Sequence, residues 1–296
     1  MVKELKGILV PMVTPFNADE SLDETALRRI VNYLIESGVH GLFPAGSQSE
    51  FYALNPDEKK RIADVVIDET DGRVAVMVGT GAVTTRESIE LTRYAEAAGA
   101  DAVSVITPYF VSPSPEELRQ HYIAIARSVS IPVLAYNNPG RTGVHFTPAD
   151  AAYVAGVVDN LVGVKDSSGD LTNTLAYIEQ CPPSFKAFLG RDSLIYAGLC
   201  CGCAGAVAAT ANVVPGLVVG IYNAFVSGDH ALALELQRKL NPLRRAFALG
   251  SFPVVVKDAM ALVGQPAGPA RAPISSITGE ARAALASILR DLGRTR

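Results

Sequence analysis

Strand-like and helix-like segments alternate along most of this 296-residue chain, and this alternation restricts its possible folds more than any other feature. The strand-like segments are short, apolar and rich in Val, Ile or Phe, which is typical of strands buried on both faces of a parallel sheet. Eight strands are predicted, at 7–14, 41–45, 74–79, 102–106, 132–136, 161–165, 185–189 and 205–208.

A helix-like segment follows each predicted strand. In the first one, 22–37, Leu27, Ile30 and Leu34 recur at helical spacing, and Asp23 is a suitable N-cap. The others are 56–69, 85–98, 115–128, 147–158, 171–180, 192–200 and 213–226. Consecutive β–α units in this number predict an α/β fold, the (β/α)₈ TIM barrel.

A doubly wound sheet is the alternative architecture. Its first strand usually leads into a glycine-rich turn that binds phosphate, whereas the first strand here leads into Val13-Thr14-Pro15-Phe16. Gly79-Thr80-Gly81 follows the third strand but lacks the third glycine of a dinucleotide-binding turn. These observations favour the barrel.

Three further helix-like segments follow the eighth unit, at 229–248, 253–263 and 279–292. We predict a catalytic barrel at 1–226 and a small three-helix appendage at 227–296.

Composition excludes several classes of partner. The net charge of −4 and the absence of a Lys/Arg cluster argue against nucleic-acid binding. No apolar stretch is long enough to cross a membrane, and the first residues lack a secretory pattern, so we expect a cytoplasmic protein with no membrane partner.

Three of the cysteines crowd into Cys200-Cys201-Gly202-Cys203 without a nearby histidine to complete a metal site. We expect buried thiols there and no bound metal.

Lys165 is the most informative single residue. It ends the apolar segment 161–165 and precedes a polar Ser/Gly turn, so it is predicted at the end of a buried strand. Desolvation favours the neutral amine, and a neutral amine attacks ketones to form a Schiff base. A solvated lysine with no catalytic role is the alternative for this residue alone.

Other polar residues follow neighbouring strands, and active sites of TIM barrels lie at these carboxyl ends. The turn Gly46-Ser47-Gln48-Ser49 offers hydroxyl and N–H groups to a small anion such as a carboxylate. Tyr136 ends the strand before that of Lys165 and can carry protons, whereas Arg141 can hold a second carboxylate. Taken separately, each of these residues is more simply explained as part of a turn, of the apolar core or of the solvated surface. Their joint placement at the strand ends of one barrel indicates an active site.

The sequence resembles the dihydrodipicolinate synthase / N-acetylneuraminate lyase family of Schiff-base pyruvate enzymes. The resemblance extends from Pro11-Met12-Val13-Thr14-Pro15-Phe16 to the C-terminal helices. Its most specific segments are Tyr136-Asn137-Asn138-Pro139-Gly140-Arg141-Thr142-Gly143 and Gly163-Val164-Lys165-Asp166-Ser167-Ser168-Gly169-Asp170.

The resemblance implies a role for each matching residue. Lys165 is then the Schiff-base lysine and Tyr136 the proton-transfer tyrosine, while Ser47 takes part in catalysis and in carboxylate binding. Gly46, Gln48, Arg141 and Val207 complete the predicted substrate-binding set. The resemblance also implies a homotetramer, and the imine chemistry requires no metal or organic cofactor.

The chain departs from the family pattern at three places. Gln48 stands where a threonine is usual. Phe110 replaces a tyrosine that reaches a neighbouring subunit and relays protons, so any relay here must use Ser47, Tyr136 and water, and Phe110 is expected to pack at an interface. Arg191 and Asp192 replace a more acidic segment, and we treat them, with Phe110, as secondary contacts.

The predicted partners are a 2-oxo acid and an aldehyde. Arg141 favours 4-hydroxy-tetrahydrodipicolinate synthesis from pyruvate and aspartate semialdehyde. Gln48, Phe110 and Arg191 favour an aldolase or dehydratase acting on a 2-keto-3-deoxy sugar acid. A non-catalytic barrel that only binds a 2-oxo acid is a third possibility, but the presence of both Lys165 and Tyr136 argues against it.

Overall fold

A computed structural model of the chain describes residues 3–294. Eight strands pair in chain order, all parallel, and close into a barrel. They are β1 (Gly7–Pro11), β2 (Gly41–Phe43), β3 (Ala75–Gly79), β4 (Ala102–Ile106), β5 (Val133–Asn137), β6 (Leu161–Asp166), β7 (Lys186–Leu189) and β8 (Gly205–Val207). The predicted (β/α)₈ barrel is confirmed.

The helices surround the barrel and continue beyond it. They are α1 (Glu24–Glu36), α2 (Pro56–Thr70), α3 (Thr85–Ala97), α4 (Pro115–Ala126), α5 (Pro139–Thr142), α6 (Pro148–Ala155), α7 (Leu171–Gln180), α8 (Ile195–Cys200), α9 (Pro215–Val226), α10 (His230–Ala246), α11 (Val254–Leu262) and α12 (Gly279–Asp291). Asp23 caps α1 as predicted, because its carboxylate accepts the N–H of Ala26. The one-turn helix α5 was not predicted.

Five of the eight predicted carboxyl-terminal strand ends differ from the structure, by one residue in β5, β6 and β8, by two in β2 and by three in β1. β1 stops at Pro11, three residues before its predicted end, because the N–H of Val13 donates to the side chain of Asn212 instead of to a neighbouring strand. β6 extends one residue beyond Lys165 to Asp166, which pairs in register with Asn137 of β5.

The apolar core has two layers, as the alternation of side chains along each strand requires. Inside the barrel, Leu9, Phe43, Leu134 and Phe188 pack together. A larger layer lies between the strands and the helices. The inner layer forms an apolar base beneath the carboxyl ends of the strands.

The C-terminal helices α10, α11 and α12 pack against the barrel. Gln237 of α10 donates to the carbonyl of Asp192 at 2.9 Å, and the amide nitrogen of Gln48 donates to the carbonyl of Pro253 at 3.1 Å. The predicted number of C-terminal helices agrees with the structure. The domain boundary at 226/227 remains a prediction.

The prediction of buried thiols at 200–203 holds only in part, since Cys203 is buried, Cys201 is half-buried and Cys200 is exposed. Within residues 3–294, no helix combines the length and the apolar character that crossing a bilayer requires.

Candidate active site

A cavity of about 480 Å³ opens at the carboxyl ends of the strands. Its wall includes most of the predicted site residues: Ser47, Gln48, Tyr136, Arg141, Lys165, Arg191, Asp192 and Val207. Because these residues come from five different strand ends or the loops after them, the closed barrel is what brings them together.

Lys165 lies at the base of this cavity and is 4% exposed. Its Nζ is 3.7 Å from the centroid of the Tyr136 ring and 4.8 Å from that of Phe43. Burial lowers the pKa of Lys165, although Tyr136 and Asp192 oppose that change. The amine is therefore more readily available in its uncharged, nucleophilic form than that of an exposed lysine.

Tyr136 is the register partner of Lys165 on β5. Its phenol oxygen accepts hydrogen bonds from Asn138 Nδ2 at 3.0 Å and from Ser47 Oγ at 3.4 Å. Burial alone would raise the pKa of Tyr136, but the Lys165 charge and hydrogen bonds from Ser47 and Ser167 outweigh it and lower the pKa. The phenol can thus exchange a proton with a hydroxyl or with substrate.

A buried hydrogen-bond network holds β5 and β6 in register at the next pair of residues along the two strands. Asn137 Nδ2 donates to Asp166 Oδ1 at 3.0 Å, and Thr174 Oγ1 donates to Asp166 Oδ2 at 2.7 Å. Asn137 Oδ1 also accepts the N–H of Phe146 at 3.1 Å. Because these groups are buried and partnered, they resist movement of Tyr136 relative to Lys165.

Ser47, Gln48 and Ser49 form one 3₁₀ turn after β2. Gln48 Nε2 donates to the Pro253 carbonyl, so one of its two hydrogens is already used, and its buried Oε1 has no partner within residues 3–294. The prediction that Gln48 binds a substrate carboxylate therefore depends on its remaining amide hydrogen.

Gly46 does not line the cavity. It lies behind Ser47, where a Cβ would come 2.9 Å from the Phe43 ring, so a glycine allows the turn to pack closely on β2. The structure places Gly46 in the support of the turn, not in predicted contact with substrate.

Phe110 also lies off the cavity wall. It is 98% exposed, so within its own chain it makes no secondary contact with the site. The predicted packing of Phe110 at a subunit interface stays a prediction.

The two charged residues after β7 have different roles. The Asp192 carboxylate accepts both the N–H and the hydroxyl of Thr210, at 2.7 and 2.6 Å, through one oxygen, Oδ2, whereas its Oδ1 accepts no hydrogen bond within residues 3–294. Arg191 uses Nε to hold the Ser167 carbonyl at 3.1 Å, and its terminal nitrogens have no hydrogen-bond partner within residues 3–294.

Arg141 of α5 lines the cavity with its guanidinium 4.4 Å from the centroid of the Phe252 ring. Stacking on an aromatic face orients a guanidinium without using its hydrogen-bond donors. The geometry suits the predicted contact with a carboxylate.

Several cavity residues were not predicted: Asn138, Ser167, Arg244, Phe247 and Phe252. Asn138 and Ser167 lie within the two most specific segments, each two residues after Tyr136 or Lys165. Their closeness in sequence to these two residues could have predicted that they line the cavity. Arg244, Phe247 and Phe252 come from the C-terminal appendage, and no local pattern points to them.

A buried ion pair also escaped prediction. Glu50 and Lys257, which are 0% and 2% exposed, approach to 2.6 Å. The other carboxylate oxygen of Glu50 accepts the N–H of Arg271 at 3.0 Å. Glu50 ends the Ser47–Ser49 turn in a left-handed conformation (φ 58°), so this pair ties the turn to α11.

Comparison with known proteins identifies the family. A model of the dihydrodipicolinate synthetase family matches residues 4–292. This chain belongs to that family. It is therefore a lyase, as predicted. The chain is 39% identical over 291 residues to a 4-hydroxy-tetrahydrodipicolinate synthase from Methanopyrus kandleri, covering 98% of this chain and 97% of that protein.

Two further similar proteins have names that give the family and no reaction. An uncharacterized DapA-like lyase from Halobacterium salinarum is 39% identical over 289 residues, covering 98% of this chain and 94% of that protein. A prophage protein of the dihydrodipicolinic acid synthase family from E. coli K12, solved in complex with pyruvate, has a TM-score of 0.95 at 34% identity, with 98% and 99% of the two chains covered.

Proposed function

We propose that Lys165 forms an imine with the ketone of pyruvate or another 2-oxo acid, and that the enzyme then makes or breaks a carbon–carbon or carbon–oxygen bond. The observation that carries this proposal is the buried Lys165 amine, 3.7 Å from the Tyr136 ring centroid at the base of an open cavity. A neutral amine in that position can add to a carbonyl carbon.

The proposed reaction requires no metal, because the imine accepts the electrons at each step. The lone pair of Lys165 adds to the ketone carbon, and loss of water from the resulting carbinolamine yields a protonated imine. That cation accepts electrons when a C3 proton leaves, and the enamine so formed adds to the carbonyl carbon of an aldehyde, whose oxygen takes up a proton and becomes a hydroxyl. Water then hydrolyses the new imine and frees the lysine; cleavage runs these steps in reverse.

Tyr136 and Ser47 are proposed to move the protons. Their oxygens are 3.4 Å apart, and Tyr136 adjoins the amine. The Ser47 hydroxyl, with N–H groups of its turn and the remaining Gln48 amide hydrogen, would hold the C1 carboxylate. Val207 lies on the same wall, and we assign it to packing against the methyl end of the substrate.

The first candidate reaction is the condensation of pyruvate with aspartate semialdehyde. Arg141 supports it, because its guanidinium faces the cavity and can hold the aldehyde's carboxylate. The name of the Methanopyrus kandleri relative states this activity for that protein.

The second candidate is an aldolase or dehydratase that acts on a 2-keto-3-deoxy sugar acid. Among the described residues that line the cavity, the one carboxylate is that of Asp192, against three arginines, Arg141, Arg191 and Arg244. An ammonium group such as that of aspartate semialdehyde therefore meets a wall with more cations than anions, whereas acidic groups have several cationic partners.

We further propose a cytoplasmic homotetramer. Phe110 and its neighbour Val111 are both exposed. Two adjacent exposed apolar side chains are suited to burial by another subunit. A mass measurement by analytical ultracentrifugation tests the assembly, and a monomeric mass at working concentration would contradict it.

Borohydride trapping tests the imine. The protein is mixed with pyruvate, reduced and digested, and the modified lysine is found by peptide mass spectrometry. We expect an adduct on Lys165 and none on Lys257, an equally buried lysine that is paired with Glu50 and serves as an internal control. If pyruvate and longer 2-oxo acids all leave Lys165 unmodified, the proposed mechanism is wrong and simple binding of 2-oxo acids takes its place.

A further inference from the structure

Three arginines from separate elements face the same cavity. Arg141 lies in α5, Arg191 follows β7, and Arg244 lies in the last turn of α10. None of them is in a salt bridge with another group of residues 3–294. Guanidinium groups stay charged at all relevant pH values, so this wall carries excess positive charge.

The position of Arg244 is set by two contacts of its helix with the barrel. Gln237, two turns earlier in α10, donates to the Asp192 carbonyl at 2.9 Å and accepts the N–H of Tyr196 at 3.0 Å. The Arg244 guanidinium lies 5.2 Å from the Phe247 ring centroid. The middle of α10 is thereby attached to the segment after β7 that carries Arg191, and Arg244 follows two turns later on the same helix.

The donors of Arg191 and Arg244 are only partly used by the protein. Arg191 donates through Nε to the Ser167 carbonyl, which orients the guanidinium and leaves its terminal nitrogens. Arg244 donates to no group of residues 3–294. The one carboxylate among the described residues of this wall, that of Asp192, carries a single negative charge and cannot neutralise both cations.

A single substrate carboxylate at Arg141 leaves these two cations without a counter-charge. Arginine pairs in a partly buried cavity are typical sites for carboxylate and phosphate, since the planar fork matches their oxygen geometry. Arg191 and Arg244 line the same cavity, so an anionic ligand bound there is attracted by both charges.

We propose that Arg191 and Arg244 form a second anion subsite, which binds an acidic oxygen group at the end of the aldehyde remote from Lys165. The inference rests on the proposed Schiff-base function and defines the charge of its second substrate. The aldehyde then carries a carboxylate or phosphate group that Arg141 alone does not bind, and an ammonium group nearby is disfavoured. A 2-keto-3-deoxy sugar acid with a second acidic group, at the end remote from its ketone, therefore fits this cavity better than aspartate semialdehyde does.

Matched aldehydes test the subsite. Condensation with pyruvate is measured for glyceraldehyde and for glyceraldehyde 3-phosphate, which differ only in the phosphate, and for tartronate semialdehyde, which carries a carboxylate. We expect higher kcat/KM for the acidic aldehydes, and a loss of that preference by about 10- to 100-fold in Arg244→Gln and in Arg191→Gln. Comparison of the two acidic aldehydes distinguishes phosphate from carboxylate.

Arg245→Gln is the matched control, because Arg245 is the next residue of the same helix turn, is exposed and does not line the cavity. It should leave the kcat/KM of every aldehyde unchanged. Equal losses for neutral and acidic aldehydes in Arg244→Gln, or no preference for acidic aldehydes in the parent protein, would overturn the subsite.

A binding measurement separates this inference from the proposed function. Inorganic phosphate should raise the Tm of the parent protein and of Arg245→Gln, but raise it much less in Arg244→Gln. If borohydride traps nothing on Lys165 while phosphate still binds in this pattern, the imine proposal fails and the anion subsite stands. If trapping succeeds but phosphate raises the Tm of all three proteins equally, the subsite is wrong and the imine stands.

Discussion

Tyr136 and Lys165 are directly opposite each other on β5 and β6, and the Lys165 Nζ lies 3.7 Å from the centre of the Tyr136 ring. The parallel ladder therefore sets the distance between the nucleophile and its proton carrier. Asn137 and Asp166, the next pair along the same two strands, are joined by a hydrogen bond of 3.0 Å that keeps the register.

The pH dependence of imine formation follows from the lowered pKa of Lys165. Below its pKa the amine is protonated and cannot attack, and above it the amine is free. Because burial places this pKa below the ordinary 10.5 of lysine, the rate should rise with pH with a midpoint below pH 10.5. Initial rates of borohydride-trapped adduct against pH measure this, and a midpoint at or above pH 10.5 would contradict the assignment.

Tyr136→Phe removes one hydroxyl and keeps the ring that lies against Lys165. We expect turnover to fall by about 10²- to 10⁴-fold, the usual contribution of a positioned proton carrier. The adduct on Lys165 should still form, although more slowly. Tyr153→Phe, at an exposed position of α6, is the control and should keep full activity. A fully active Tyr136→Phe enzyme would show that Ser47 or water carries the proton instead.

Arg141→Ala should raise the KM of an acidic aldehyde by about 10- to 100-fold, because a charge-assisted hydrogen-bond pair is lost. The KM of pyruvate should change little, since its carboxylate is assigned to the Ser47 turn. Arg127→Ala removes an exposed arginine outside the cavity and controls for net charge. If Arg141→Ala leaves the aldehyde KM unchanged, the carboxylate contact at Arg141 is wrong.

Glu50→Gln should destabilise the protein by about 3–5 kcal/mol, because Lys257 would be left buried without its partner. Urea unfolding measures the free energy of unfolding. The double substitution Glu50→Gln with Lys257→Met removes both charges and should recover part of the loss. A loss below about 1 kcal/mol in the single variant would mean that Lys257 is neutral or reaches water.

The barrel and much of the site were predictable from local sequence. Strand and helix periods are determined by residues a few positions apart, and the carboxyl ends of parallel strands must meet at one edge of the barrel. That is why Lys165, Tyr136, Ser47 and Arg141 were correctly expected to face one cavity. Gly46 and Phe110 were included on the family resemblance, and neither of them lines the cavity.

The contributions of the C-terminal appendage were not predictable. Gln48 bonds to Pro253 across 205 positions of the chain, and Glu50 bonds to the N–H of Arg271 across 221. Arg244 and Phe252 reach the cavity in the same way, by the return of α10 and α11 over the strand ends. No period or spacing within a segment encodes such contacts.

The sequence by itself determined the closed α/β barrel, the identity of the buried lysine and the tyrosine beside it, because local apolar periods and the geometry of parallel strands leave few alternatives. Only the tertiary structure decided which side chain oxygens and nitrogens remain free, and that Arg244 lines the same cavity as Arg141 and Arg191. These properties depend on partners far apart in the chain, whose positions are settled when the helices pack against the barrel.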